Sequence, residues 1–224
     1  MKQTLPDMFS FFPFWEELNR EQQADLLLHG QSRKFQKGDM IITYKNQCQG
    51  LLLVRSGQLR AFVLSENGKE ATLYRLYALD ICLFSASCIM NNIQFSIQIE
   101  VEKDTSVLLV PSALYKQLMQ QSVAVSNYTN QLMASRFSDV MWVLEQVLFK
   151  SMDCRLAQVL LEHAVIEGSN ELYLTHEAIA RDLGSAREVV TRLLKYFREE
   201  DLIELARGRI HLLDKKRLQG IADG

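Results

Sequence analysis

Hydrophobic and polar positions change their period three times along the chain. Over residues 1–30, Phe14, Leu18 and Leu26–Leu28 recur at helical intervals. From Phe35 onward, short apolar runs alternate with turn residues. Gly38-Asp39 leads into Met40-Ile41-Ile42, Gly50 into Leu51–Val54, and Ser56-Gly57 into Gln58–Leu64. Glu66-Asn67-Gly68 predicts a hairpin turn, because Asn-Gly accepts the positive φ angles that such turns need. Farther on, Phe95, Ile97, Ile99 and Val101 alternate with Ser96, Gln98 and Glu100, the pattern of a strand buried on one face. Short strands punctuated in this way predict an antiparallel barrel or sandwich over residues 20–112.

After Pro111 the period becomes helical. Met133, Phe137, Val140, Leu144 and Val147 follow one another at intervals of 4, 3, 4 and 3, and Met141 and Leu148 widen the stripe. A stripe of this kind serves either as the inner face of a core helix or as the seam of a helix pair; its length and regularity favour a helix shared by two subunits. Val125, Tyr128 and Leu132 lie on another face, suited to packing on the chain's own barrel. Residues 151–224 read as a smaller unit. Arg155–Ile166 has helical spacing, Asn170–Leu174 suits a short strand, and Leu202–Leu205 and Ile210–Leu213 flank Arg207-Gly208 as a two-stranded wing. The class is α+β, divided into a barrel with an N-terminal helix (1–117), a dimerisation helix (118–150) and a C-terminal unit (151–224).

That last unit contains LTHEAIARDLGSAREVVTRLLKYFREEDLI, residues 174–203, two helical segments joined at a glycine. Thr175 is suited to cap the first segment and Ser185 the second, since a hydroxyl accepts from the free N–H groups of a first turn. Val189, Val190, Leu193, Leu194 and Phe197 form the inward face of the second segment. Glu188, Thr191, Arg192 and Lys195 stand at i, i+3, i+4 and i+7 and share the open face, with Arg187 beside them. Arginine can donate a fork to guanine O6 and N7, and glutamate can accept from cytosine N4, so this face has the chemistry of a major-groove reader. Thr175, His176 and Arg207 or Arg209 of the wing are candidates for phosphate contacts.

Charge weighs against that reading only in bulk. The 224-residue chain has a formal net charge of −2, and residues 151–224 carry 11 Lys or Arg against 13 Asp or Glu. The acidic residues gather at Glu199, Glu200, Asp201 and Glu204, beyond the proposed reading face. At 48% apolar residues the chain can bury a real core, yet no stretch is continuously apolar enough to span a bilayer. The opening MKQTLPDMFSFFPFW lacks the apolar core and small-residue end of a secretory leader. The four cysteines, at 48, 82, 88 and 154, do not suggest a disulfide scaffold. A cytoplasmic protein with no membrane contact is the expectation.

The segment Leu174–Ile203 resembles the bacterial transcription regulators related to the cyclic-AMP receptor protein and the fumarate–nitrate regulator, the Crp/Fnr family. The likeness extends over nearly the whole chain in the order barrel, long helix, helix-turn-helix with wing. Arg187-Glu188 followed by Arg192 is similar to the arginine–glutamate–arginine set with which the cyclic-AMP receptor protein reads a TGTGA half-site. The resemblance implies a jelly-roll barrel of the cyclic-nucleotide-binding kind, a dimer formed through the helix carrying Met133–Val147, a two-fold symmetric site on double-stranded DNA, and action on RNA polymerase.

The sensor part departs from the family's nucleotide-binding members. They keep a Gly-Glu-Leu segment and an Arg-Ser or Arg-Thr pair; here Phe84 stands at the glutamate and Ser96-Ile97 at the arginine pair. No Lys or Arg occurs between Arg75 and Lys103, so a buried phosphodiester would lack a cationic partner from this stretch. Cyclic AMP is not the expected effector. Four thiolates usually hold an iron–sulfur cluster, and relatives that carry one place three cysteines near the N-terminus, whereas this chain has none before Cys48. No cofactor is required by the pattern, although an apolar pocket leaves haem open. Cys82 and Cys88, in CLFSASC, with Cys48, are candidates for thiol redox sensing or for small buried apolar packing. If the segment is helical, six residues rise about 9 Å, beyond the roughly 7 Å between Cα atoms that a disulfide tolerates.

No catalytic motif is present: no Gly-x-Ser-x-Gly, no phosphate loop and no zinc-ligand spacing. The expected function is a DNA-binding regulator gated by an effector in the barrel. The alternatives are a protein-interaction module that has lost DNA recognition, which the intact Arg187, Glu188 and Arg192 oppose, and a cupin-like metal enzyme, which lacks a converging set of ligands.

Overall fold

A computed structural model of the chain describes residues 9–42, 50–82 and 97–224. Two compact units are distinguished: Met1–Val63 with Leu73–Val140, and Leu64–Thr72 with Met141–Gly224.

In the first unit a six-stranded antiparallel sheet is built on two long strands, β3 (Leu51–Leu64) and β6 (Ile97–Val110). They pair from Leu51 opposite Val110 to Val63 opposite Ile97. β1 (Gln31–Phe35) and β2 (Met40–Ile42) pair with β6, while β4 (Glu70–Leu76) and β5 (Ile81–Cys82) pair with β3. Successive side chains of a strand point to opposite faces, and the two faces bury different cores. Leu52, Val54, Leu59, Ala61, Ile99, Val101, Val107 and Leu109 join one cluster. Leu51, Leu53, Leu108 and Val110 join the other, with Phe9, Phe12, Phe14, Leu26, Tyr115, Leu118 and Val125.

The sequence pattern separates Leu51–Val54 from Gln58–Leu64 at Ser56-Gly57. In the structure they are one strand, whose register shifts between Val54 and Leu59. A bulge absorbs the turn-forming residues without ending the pairing. The Glu66-Asn67-Gly68 hairpin forms as read: Ser65 N–H donates to the Lys69 carbonyl, and Gly68 (φ 76°) donates to the Ser65 carbonyl.

Helix α1 (Arg20–His29) starts at a capping box, in which Asn19 accepts from the Gln22 N–H and Gln22 accepts from the Asn19 N–H. Residues after Pro111 do not form one helix. α2 (Ser112–Gln121) ends at Ser122, and α3 (Val123–Phe149) begins immediately after it. On α3, Val125 is fully buried and Tyr128, Leu132 and Met133 pack against the sheet's second cluster. Phe137 (67% exposed), Leu144 (44%) and Val147 (52%) are open, together with Met141, Trp142, Leu148 and Phe149. Val140 is half-buried. Met133, the first residue of the heptad stripe, is therefore partly used by the chain's own core.

The second unit packs four helices, α4 (Met152–Glu167), α5 (His176–Leu183), α6 (Arg187–Glu199) and α7 (Lys215–Asp223), around a three-stranded sheet. The strands are β7 (Glu171–Leu172), β9 (Arg209–Leu212) and β8 (Ile203–Ala206), in that order. The wing read from the sequence thus gains a third strand. Helix α7, capped by Asp214 accepting from the Arg217 N–H at 3.0 Å, closes the core with Leu218 and Ala222.

Candidate nucleic-acid interface

The reading surface is assembled by the turn between α5 and α6. Thr175 caps α5 as expected, its hydroxyl accepting from the Ala178 N–H at 3.0 Å. Ile179 and Leu183 are buried. Gly184 then takes the left-handed conformation (φ 63°, ψ 32°) that a residue with a Cβ adopts at a cost. Its N–H donates to the Ala180 carbonyl, as does that of Ser185 at 2.9 Å.

Ser185 does not cap α6. The cap position falls on Ala186, and no side chain accepts from the first-turn N–H groups. The Schellman-type closure of α5 occupies the backbone of Gly184 and Ser185, which moves the helix start one residue beyond the hydroxyl.

Along α6, Val190, Leu194 and Phe197 are fully buried and Leu193 partly so. Arg187, Glu188, Thr191, Arg192 and Lys195 are all exposed. Among the described residues the side chains of Arg187, Glu188 and Arg192 have no hydrogen-bond or ion-pair partner, whereas other arginine side chains of this unit are engaged. Arg155 donates to the Leu183 carbonyl at 2.6 Å, Arg217 pairs with Glu200 at 3.3 Å, and Arg209 pairs with Glu171 at 3.2 Å. The wing cation proposed from sequence is thus held by a strand neighbour, while Arg207, at the tip of the wing, is exposed. Lys195 sits 3.8 Å from Glu199. The acidic group from Glu199 onward lies at the far end of α6, about 18 Å from Arg187 at 1.5 Å of rise per residue.

His176 opens α5, and its Nδ1 lies 2.9 Å from Thr191 Oγ1 on α6. The Thr191 hydroxyl donates to the Arg187 carbonyl at 2.9 Å. Sequence reasoning places both residues on the surface but offers no signal that they touch across the turn.

A second cluster steadies α5 from behind. The Asp182 carboxylate accepts from Thr72 Oγ1 at 2.8 Å and from His163 Nε2 at 3.1 Å. Arg181 approaches Glu70 at 3.9 Å. A Cβ added at Gly184 would lie 3.0 Å from the Ala71 methyl. None of this was legible, because it joins residues distant in sequence: 19 positions for His163 and Asp182, and 110 for Thr72 and Asp182.

In the first unit, Cys82 is fully buried in β5 opposite Leu52, with a free thiol. Cys48, Phe84, Cys88 and Ser96 lie outside the described residues. Arg60 is buried and donates to Glu100 at 2.7 and 3.1 Å, with its guanidinium 4.1 Å above the Phe62 ring. Arg75 forks onto Glu102 at 2.9 and 3.1 Å, and Gln58 donates to the same carboxylate at 2.7 Å. Among the described residues no helix is long and apolar enough to cross a membrane.

Comparison with known proteins finds two family models along the chain. Residues 154–221 match the Crp-like helix-turn-helix domain, and residues 32–122 match the cyclic nucleotide-binding domain. A solved structure assigned to the crp/fnr family of transcriptional regulators, from Eubacterium rectale, is 51% identical; the alignment covers 96% of this chain and all of that one, with a TM-score of 0.93. The Thermus thermophilus protein named cyclic AMP receptor protein is 27% identical over 95% of this chain and 97% of its own length. The transcriptional activator protein Anr of Pseudomonas protegens is 23% identical over 86% of this chain and 80% of its own. With an antiparallel sensor sheet followed in sequence by a two-segment helical reader, and these likenesses along its length, the chain belongs to the Crp/Fnr family of DNA-binding transcription regulators, a family of regulators and not of enzymes.

Proposed function

We propose that the protein acts as a homodimer that reads a two-fold symmetric DNA site through α6 and is gated by an effector other than cyclic AMP. The observation that carries the reading is the uncommitted set Arg187, Glu188 and Arg192 on the open face of α6. Arg187 and Arg192 offer forks for guanine, and Glu188 accepts from cytosine N4. Thr175, His176, Ser185 and Lys195 flank that set and serve phosphates, as does Arg209 once a phosphate replaces Glu171. The open stripe Phe137–Val147 supports pairing of two copies through α3, with half-sites about 34–36 Å apart. By family resemblance the bound dimer would act on RNA polymerase, in the cytoplasm.

One relative carries the name cyclic AMP receptor protein, yet the cations nearest to serving a cyclic phosphate here, Arg60 and Arg75, already hold Glu100 and Glu102. A phosphate would have to displace a carboxylate from each. The effector is instead small and apolar or redox-active, with haem a lesser alternative and no iron–sulfur cluster. It would work by binding one arrangement of the DNA-binding units better than another. Selection from a random duplex library tests the DNA reading: a two-fold symmetric motif is expected, and enrichment of none would refute it.

A further inference from the structure

We infer that His176 is a positioning residue for base recognition: by holding Thr191 through Nδ1, it commits that side chain to reading the 5-methyl group of a thymine. The inference rests on the proposal that α6 reads DNA.

The argument begins with one hydrogen atom. Thr191 has a single hydroxyl hydrogen, and it is donated to the Arg187 carbonyl one turn back at 2.9 Å. The contact of 2.9 Å between His176 Nδ1 and Thr191 Oγ1 must then run the other way, with Nδ1–H donating and Oγ1 accepting. This fixes the ring with its proton on Nδ1. Thr191 is thereby spent as a hydrogen-bond donor: it cannot also donate to a base. The part of this exposed side chain that no polar contact engages is its γ-methyl group. An apolar methyl in the major groove distinguishes thymine from the other bases by contact with the thymine C5-methyl.

His176 also has a second nitrogen. With Nδ1–H facing Thr191, Nε2 remains for an outside partner at the start of α5, where a DNA phosphate is expected; it donates to a phosphate oxygen in the imidazolium form, which carries a proton on both nitrogens. One imidazole thus joins a backbone contact to a base contact across the helix turn. A threonine free to rotate about χ1 would present hydroxyl or methyl to the groove in turn, and would accept adenine or thymine more evenly. The bond from the Thr191 hydroxyl to the Arg187 carbonyl and the bond from His176 together remove that choice, and His176 is the partner that holds Thr191 from outside its own helix.

The two nitrogens can be separated by substitution. Asparagine reproduces the Nδ1 donor and not Nε2, and glutamine the reverse. The duplex selected by the intact protein is first remade with deoxyuridine in place of each thymine in turn, which removes only the 5-methyl group. One position per half-site should lose about three- to fivefold in affinity, the value of one buried methyl group. His176→Gln should abolish that thymine-over-uracil ratio while retaining most of the affinity. His176→Asn should keep the ratio and lose affinity for all sequences alike. Thr191→Ser, with the hydroxyl retained and the methyl removed, should abolish the ratio with His176 intact. If no thymine shows the ratio, or if His176→Gln leaves it unchanged, the positioning role is refuted while the symmetric motif and the DNA reading stand. Enrichment of no motif by the intact protein would overturn both.

Discussion

Replacing Leu144 by glutamate tests the paired-helix reading most directly. Leu144 is 44% exposed and belongs to none of the chain's buried clusters, so the folded single chain does not depend on it. Burying a whole leucine side chain is worth about 1.5–3 kcal/mol. The open part of Leu144 is thus worth about 1 kcal/mol per copy and about 2 kcal/mol per dimer. Loss of that burial alone, as in Leu144→Ala, should raise the dimer dissociation constant about thirtyfold. Leu144→Glu adds two carboxylates to an apolar seam without a cationic partner, at a further cost of several kcal/mol. Sedimentation equilibrium should find a dimer for the native chain at micromolar concentration, a weakened dimer for Leu144→Ala and a monomer for Leu144→Glu. Far-UV circular dichroism should remain native in all three. A Leu144→Glu protein that sediments as a dimer with an unchanged dissociation constant would refute the seam.

Arg192→Ala should cost about 1–3 kcal/mol on the selected duplex and relax preference at one base pair per half-site, read by competition with single-base variants. Isothermal titration with millimolar cyclic AMP should show no binding; micromolar affinity would mean that Arg60 or Arg75 exchanges its carboxylate for phosphate. Tyr115 is buried and donates to Thr129 at 2.6 Å, and burial pushes its phenol up to about 12. A folded-state value above the ordinary one near 10 stabilises the fold fully below pH 10, and that stability is lost as pH rises toward 12, by about 3 kcal/mol. Urea unfolding at pH 9 and at pH 11.5 should therefore show a smaller alkaline loss for Tyr115→Phe than for the native chain.

Legibility from sequence followed the range of the interactions. The strand alternation through Ile97, Ile99 and Val101, the Asn67-Gly68 hairpin and the Thr175 cap are local: each depends on side-chain period or on groups within a few residues. All three appear in the structure. Ser185 failed as a cap because the closure of α5 reaches one residue into the next segment, and Ser56-Gly57 failed as a break because β6 supplies partners on both sides of it. Helix α7 escaped notice because Lys215-Lys216-Arg217 hides a short apolar set behind charge, and Leu218 and Ala222 become a core face only against α4. Asp182, shared by Thr72 and His163, was beyond reach for the same reason: its partners come together only in the fold.

Bulk charge shows how a correct count can point the wrong way. Thirteen acidic residues against eleven basic ones describe a C-terminal unit with no attraction to DNA as a whole. What a duplex meets, however, is a face, and screening at physiological salt confines each charge's influence to about 8 Å. Glu199 and Glu200 sit well beyond that distance from Arg187 along α6, and Glu200 is answered by Arg217. Glu171 neutralises Arg209, and Asp182 is turned toward Thr72 and His163. The acidic surplus is thus largely spent on internal pairs or placed at the remote end of the helix, while Arg187 and Arg192 are held back from any internal partner. Glu199 lies 3.8 Å from Lys195, so the cations of the reading face left without an acidic side-chain partner are Arg187 and Arg192. Affinity governed by this local field should fall with added salt according to the few cations at that face, and not according to the net charge of the chain.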